Sequence, residues 1–310
     1  MKRIHIGIDE NGLGARLGPL IVTAVAAHID HDGAKQASAV DRSTFDHVLD
    51  DSKRLVSHKD IRLGEAWARA IVGPEVASPA VFLERVGLED RQTSTRLCPS
   101  HVETQCWSAE GEVFTASSEL VDEVTGILRK LAAQGVEVCL VRSSWACTRV
   151  LNRELAEQRH RFIVDLHSME RLMLEIRRLV GVPIEAMCGK VGGIADYPKF
   201  FGPLAGRLHT TLEQTRERSS YEFAGLGRVT FEQDADARDA LVMIASLVGK
   251  YVRELFMSRI ARRYQASFDH ERAPSGYHDP VTEQFVEASA ILRKSRRVPF
   301  DCFERRRGGD

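Results

Sequence analysis

Apolar and polar residues alternate at two periods along the chain, and their order predicts a mixed α/β architecture. Ile4, Ile6 and Ile8 alternate with His5, Gly7 and Asp9, the period of a half-buried strand that ends on an acid. A turn bearing Gly12, Gly14 and Gly18 follows, and the β-branched apolar run over 20–27 predicts a second strand. Residues 58–72 change to helical spacing, with Ile61, Trp67, Ala68 and Ile71 on one side. The stretch 73–111, with Pro74, Pro79, Pro99 and several Ser and Thr, predicts an irregular insertion. A helix over 117–133 then leads through Gly135 into a strand over 136–141. Between 149 and 179 lies a long charged helical segment with Met169, Leu172, Met173 and Ile176 as a narrow apolar stripe. Short strands are predicted over 183–187 and 228–231. Leu241, Ile244, Ala245, Val248, Val252 and Leu255 mark an amphipathic helix. Strands early and late, with helices between and after them, give an α/β fold class.

Composition narrows this picture. A chain of 310 residues with 43% hydrophobic residues can bury a full core, and a net charge of -1 identifies no partner by itself. Charge is concentrated near the C-terminal end, where Arg293, Lys294, Arg296, Arg297, Arg305, Arg306 and Arg307 form a basic tail suited either to a phosphate backbone or to a solvated surface. The six cysteines form no CxxC pair and no zinc-type spacing, which fits reduced thiols in a cytoplasmic protein. No signal peptide is expected, and no apolar run of about eighteen residues marks a membrane span.

Gly12, Gly14 and Gly18 superficially match a dinucleotide-binding loop. That motif needs a helix to start within the glycines, and Pro19 with a β-branched run follows instead. Asp9 and Glu10 would also repel a pyrophosphate. Carboxylates at a strand end beside a glycine turn suit a hard cation better. A second acidic pair, Asp234 and Asp236, follows the strand over 228–231, with Asp236 expected to open the long helix. Helical spacing from Asp236 would place Asp239, Met243, Lys250 and Glu254 near one side. Either pair alone is most simply a turn or helix cap; two strand-end acid clusters together point towards a site.

Ordered blocks of these residues resemble the type 2 ribonuclease H family, which cuts the RNA strand of RNA/DNA hybrids or cleaves at ribonucleotides embedded in DNA. Gly7-Ile8-Asp9-Glu10-Asn11-Gly12-Leu13-Gly14 with Gly18-Pro19 is similar to the family's opening GxDExGxG…GP segment. Asp51-Ser52-Lys53 with Leu55 resembles its DSKxL block. Asp236, then Ala245-Ser246, Lys250 and Arg253-Glu254, resembles an aspartate leading into an ASxxxKxxRD helix. Ser275-Gly276-Tyr277-His278-Asp279-Pro280 with Thr282 resembles the SGYxxDPxT segment.

The resemblance implies a ribonuclease H-like mixed sheet flanked by helices, formed by 1–72 and 136–262. It leaves 73–135 as an insertion and 263–310 as a C-terminal helical extension carrying the SGY motif and the basic tail. It also implies that Asp9, Glu10 and Asp236 hold two Mg²⁺ or Mn²⁺ ions for phosphodiester hydrolysis. Gly12, Leu13 and Gly14 would grip the ribose 2′-OH of an RNA/DNA hybrid or ribonucleotide-containing DNA. Tyr277 would pack at the RNA–DNA junction, with Lys53 and Lys250 as phosphate or active-site contacts.

Two departures stand out. Leu13 replaces the family's turn arginine, and Arg16 is the expected substitute cation. The family's third catalytic aspartate falls at Cys188 or Gly189, and neither is an acid. Glu185 lies too far back along the strand, Asp196 and Asp234 are further candidates, and Cys188 suits a buried thiol better than a magnesium ligand. An active nuclease and a catalytically impaired nucleic-acid-binding relative therefore both remain open.

Overall fold

The computed structural model describes residues 3–30, 49, 55–56, 60–107, 109–157, 160–192, 194–268 and 272–306. Seven strands form one mixed sheet: β1 (Arg3–Asn11), β2 (Leu20–Ile29), β3 (Val136–Ala146), β4 (Ile184–Gly189), β5 (His209–Gln214), β6 (Arg218–Phe223) and β7 (Gly227–Glu232), in the order β3-β2-β1-β4-β7-β6-β5. β1 runs antiparallel to β2 and parallel to β4, which is itself parallel to β7. The parallel centre therefore carries the ends of β1, β4 and β7 to the same edge, where ligands bind in open α/β sheets.

Helices cover both faces because β2 buries apolar side chains on each side and β1 buries its isoleucines on one. On one face, α1 (Arg62–Val72), α2 (Pro79–Val86), α4 (Ser118–Ala133) and α7 (Ala240–Arg263) pack with Ile21 and Val25. On the other, α5 (Thr148–Ala156) and α6 (Arg161–Val180) pack on Ile4, Ile6 and Ile8. A third cluster joins Leu17 of the glycine turn and Met257 of α7 to Phe285 of α8 (Pro280–Ala288) and Phe303 of the short helix Phe300–Phe303. The C-terminal segment thus closes over the turn that follows β1.

One contact sets the distance between sheet and helix. A Cβ added at Gly7 would lie 2.2 Å from the Leu241 carbonyl carbon. Only glycine lets α7 rest directly on β1, and that contact brings residues of α7 to the acids of β1.

The expected α/β class holds, with several differences in detail. The stretch expected to be irregular contains α2 and α3 (Arg91–Thr95), and Phe82, Leu83 and Val86 of α2 join the main core. The long segment over 149–179 divides into α5 and α6. α7 is not amphipathic: its buried residues occupy nearly every side, from Leu241 to Ile260, because it lies between β1, β2 and α1. β5 and β6 have no counterpart among the expected strands. β5 is an exposed edge strand of sequence HTTLEQ, and β6 turns Ser219 and Ser220 inward, so neither shows apolar alternation. Among the described residues no helix is long and apolar enough to cross a membrane.

The basic tail also differs from expectation. Arg293 lies over the Phe303 ring, 4.0 Å from its centroid, Arg296 donates to the Arg263 carbonyl, and Arg306 pairs with Asp301. Arg305 is buried. Arg296 and Arg305 tie the C-terminal segment to the rest of the protein, Arg293 and Arg306 contact partners within it, Lys294 and Arg297 are exposed, and Arg307 lies outside the described residues.

Candidate active site

The end of the parallel strands forms a cleft of about 540 Å³ lined by Asp9, Glu10, Gly12, Leu13, Gly14, Asp236, Lys250 and Tyr277, among others. Four segments remote in sequence converge here, each for a local reason. β1 delivers Asp9 and Glu10 in succession. The β4–β7 ladder, which pairs Gly189 with Glu232, sets the following acidic turn beside them. In that turn Asp234 adopts a left-handed conformation (φ 54), tolerated by aspartate, and starts a short 3₁₀ turn over Ala235–Ala237. Asp236 therefore does not open α7 as expected. Asp239 caps that helix, accepting the Leu241 and Val242 amides at 2.9 and 3.0 Å, which leaves Asp236 at the cleft.

Ser246 and Lys250 stand one turn apart on α7 and line the same wall. The Asn11 side chain donates to the Ser246 carbonyl at 3.3 Å, tying strand to helix. On the far wall, Tyr277 lies in a loop organised by Asp279. That carboxylate caps α8 through the Val281 and Thr282 amides and also accepts from the Ser275 and Thr282 hydroxyls. Arg253 of α7 donates to the Ser275 carbonyl at 3.0 Å and to Glu254 at 2.7 Å, and its guanidinium lies 4.4 Å from the Tyr277 ring centroid. Tyr277 is half-exposed, its ring supported from beneath by a buried cation.

Negative charge is crowded in the cleft. Burial raises the Asp9 carboxyl well above the usual range, the charges of Glu10 and Asp236 raise it further, and a hydrogen bond from Ser246 opposes them. Carboxylates that share one partly buried cleft are the ligand type a hard divalent cation takes, and such a cation would offset both the burial and the mutual repulsion that raise Asp9. Among the described residues no three acidic, histidine or cysteine side chains are drawn tightly enough to form a ready-made cage.

Of the expected cations, Lys250 lines the cleft, Lys53 lies outside the described residues, and Arg16 is elsewhere: its Nε donates to Glu304 at 2.6 Å on the far side of the turn. Lys190 lines the cleft instead, with Nζ donating to the Thr215 carbonyl at 3.0 Å. It belongs to no periodic element, so no pattern in the sequence marks it.

No side chain fills the position expected for a third acid. Gly189 sits beside Asp9 through the parallel pairing of Ile8 with Cys188, and a Cβ built on it would lie 3.2 Å from Asp9 Oδ1 and 3.9 Å from Glu10 Oε2. Cys188 points to the opposite face and is buried. Glu185 lies 3.4 Å from His5 Nε2, four residues down β4 and so about 13 Å away. Asp196 pairs with Lys199, whereas Asp234 lines the cleft rim.

Two further groups were not legible. Asp165 of α6 is buried, its carboxyl has no hydrogen-bond partner among the described residues, and burial, then the charge of Asp9, pushes its pKa well up. Cys98, Cys106, Cys147 and Cys302, widely spaced in sequence, line one small pocket of about 50 Å³.

No protein-family model and no curated protein matches the chain. Among solved structures it is similar to ribonuclease HII from Archaeoglobus fulgidus in its complex with PCNA (17% identity, 98% of this chain, 94% of that chain, TM-score 0.43). It is also similar to the ribonuclease H2 of Pyrococcus horikoshii OT3 (14%, 97% and 92%, TM-score 0.43). Bst-RNase HIII in complex with Mn²⁺ is a third such structure (12%, 97% of this chain and 66% of that chain, TM-score 0.44).

Proposed function

We propose that this protein is a metal-dependent endoribonuclease acting on RNA/DNA hybrids or on ribonucleotides embedded in DNA. The observation that carries this reading is the convergence, in one cleft, of Asp9, Glu10 and Asp236 with Lys250, Tyr277 and the glycine turn. Asp9, Glu10 and Asp236 would hold two Mg²⁺ or Mn²⁺ ions, which supply Lewis acidity for hydrolysis of a phosphodiester. Lys250, on the α7 wall, offsets phosphate charge. The half-exposed Tyr277 ring, braced by Arg253, offers a stacking surface for a sugar or base. Gly14 leaves open space where any other residue would carry a side chain, so a ribose can approach the backbone of the turn.

A second reading, binding without cleavage, is favoured by one observation. Gly189 leaves the space beside Asp9 without a carboxylate, which weakens the hold on a cation. Cleavage of a hybrid duplex and of a duplex with one embedded ribonucleotide, in Mn²⁺ or Mg²⁺, separates the two. Activity abolished by Asp9→Asn supports the nuclease. Salt-sensitive binding of the hybrid with no cleavage by the wild type supports the binder, and neither activity removes both.

A further inference from the structure

The glycine turn between β1 and β2 should be loose. Gly12 and Gly18 adopt positive φ of 91 and 80, Gly14 meets nothing within 4 Å, and glycines carry the largest conformational entropy of any residue. Within it the Ala15 amide donates to the Gly12 carbonyl at 3.2 Å, and the Arg16 and Leu17 amides donate to the Gly276 carbonyl at 2.8 and 2.9 Å. The carbonyls of Gly12, Leu13 and Gly18 share one further partner, remote in sequence. The Arg305 guanidinium, 3% exposed, donates through Nε and Nη2 to the Gly18 carbonyl at 3.0 and 2.7 Å. Its Nη1 donates to the Gly12 and Leu13 carbonyls at 2.5 and 3.2 Å. Around it, the Arg305 amide donates to the Arg16 carbonyl at 2.9 Å, Leu17 bridges Glu304, and Arg16 pairs with Glu304. Asn152 of α5 holds this segment from behind, donating to the Glu304 carbonyl and accepting from the Arg306 amide, both at 2.8 Å.

The consequence follows from peptide geometry. In a trans peptide the C=O and the next N–H point to opposite sides. With the Gly12 and Leu13 carbonyls turned down onto Arg305, the amides of Leu13 and Gly14 point the other way, on residues that line the cleft. We propose that Arg305 is a positioning residue: by holding these carbonyls it aims two adjacent backbone donors into the cleft, and so sets how strongly the site prefers a strand bearing a ribose hydroxyl over one without it. The guanidinium is too deeply buried to touch a substrate phosphate, so it does not replace the cation missing at Leu13; it acts through the backbone. A planar, multidentate fork is needed to hold several carbonyls, and lysine, with one point charge, cannot reproduce it.

This inference rests on the function proposed for the cleft, and two measurements on the full chain keep the two claims apart. Hydrogen exchange is followed in wild type, Arg305→Lys and Arg305→Ala, and affinity is measured for an RNA/DNA hybrid and for the DNA duplex of the same sequence. In the Lys variant, amides over 12–18 are expected to exchange at least about tenfold faster while β1 and α7 keep their protection. The hybrid-to-DNA affinity ratio is expected to fall by about tenfold, the scale of one lost hydrogen bond in a buried site. Added guanidinium restores part of that ratio in the Ala variant, which a general loss of stability would not permit. Exchange over 12–18 and an affinity ratio both within about twofold of wild type would overturn the proposal. A wild type with no preference for hybrid refutes the cleft's proposed function, and exchange alone then decides the clamp. Should both Arg305 variants fail to fold, Asn152→Ala loosens the same segment from behind, and unchanged exchange over 12–18 in that variant overturns the clamp equally.

Discussion

Placing an aspartate at Gly189 tests whether the cleft is built around a missing charge. The backbone there is not left-handed, and the nearest atoms to a new Cβ are the ends of Asp9 and Glu10 side chains, so the substitution meets charge before it meets sterics. A carboxylate extending from that Cβ comes within about 4 Å of two others, where each like-charge pair costs about 4 kcal/mol at an effective dielectric constant of 20. Asp9 already has a raised proton affinity, so proton uptake absorbs part of this. A net loss of about 2–4 kcal/mol in the absence of divalent cation is expected at pH 8. The penalty shrinks as pH falls and the carboxyls become neutral. Mn²⁺ reverses the sign, because each added carboxylate strengthens the hold on a cation, and binding at about 100 times Kd returns about 2.7 kcal/mol. The assay is thermal unfolding of wild type, Gly189→Asp and the uncharged control Gly189→Asn, in chelator and in Mn²⁺, with hybrid cleavage measured alongside. Gly189→Asp should melt lowest in chelator, gain most from Mn²⁺, and cleave faster than wild type. If Asp and Asn variants melt together under both conditions, the three acids do not share a cation site and the reasoning is wrong.

Two other consequences can be measured away from the cleft. Burial raises the Glu170 carboxyl to about 7 even though the Leu204 and Gly202 amides donate to it. The folded state therefore binds this proton more tightly than the unfolded one, so stability falls as pH rises from about 4.5 towards 7, by about 3 kcal/mol in all. Glu170→Gln, which does not titrate, should gain relative to wild type across that window in urea unfolding, and parallel pH profiles would contradict the assignment. Gly7→Ala forces a methyl into the backbone of α7 and should cost about 3 kcal/mol or more. A urea midpoint close to wild type would show that α7 does not rest on β1 as described.

Much of this site could be read from the chain because it lies where periodic elements end. The isoleucine alternation places Asp9 at the end of β1, and α7 places Lys250, since both elements declare themselves through apolar spacing. Asp236 is legible as a residue, but the element that carries it is not. Asp236 and Asp239 are equally good cap residues, and only the left-handed step at Asp234 decides that Asp239 starts the helix. β5 and β6 are not legible, because an exposed edge and buried serines carry no hydrophobic signature. Arg305 lay within a run of arginines that composition reads as surface. Its burial depends on carbonyls of Gly12 and Gly18, separated from it by 293 and 287 positions, and no local pattern encodes that meeting.

That same separation has a consequence for biosynthesis. Ribosomes extend chains at about 5–20 residues per second, so β1 and β2 are exposed many seconds before their distant guanidinium arrives. Contacts of such long range also carry a high loop-closure cost and form late. In a nascent chain the glycine turn therefore emerges long before the guanidinium that holds its carbonyls, and it reaches its final geometry only as folding finishes.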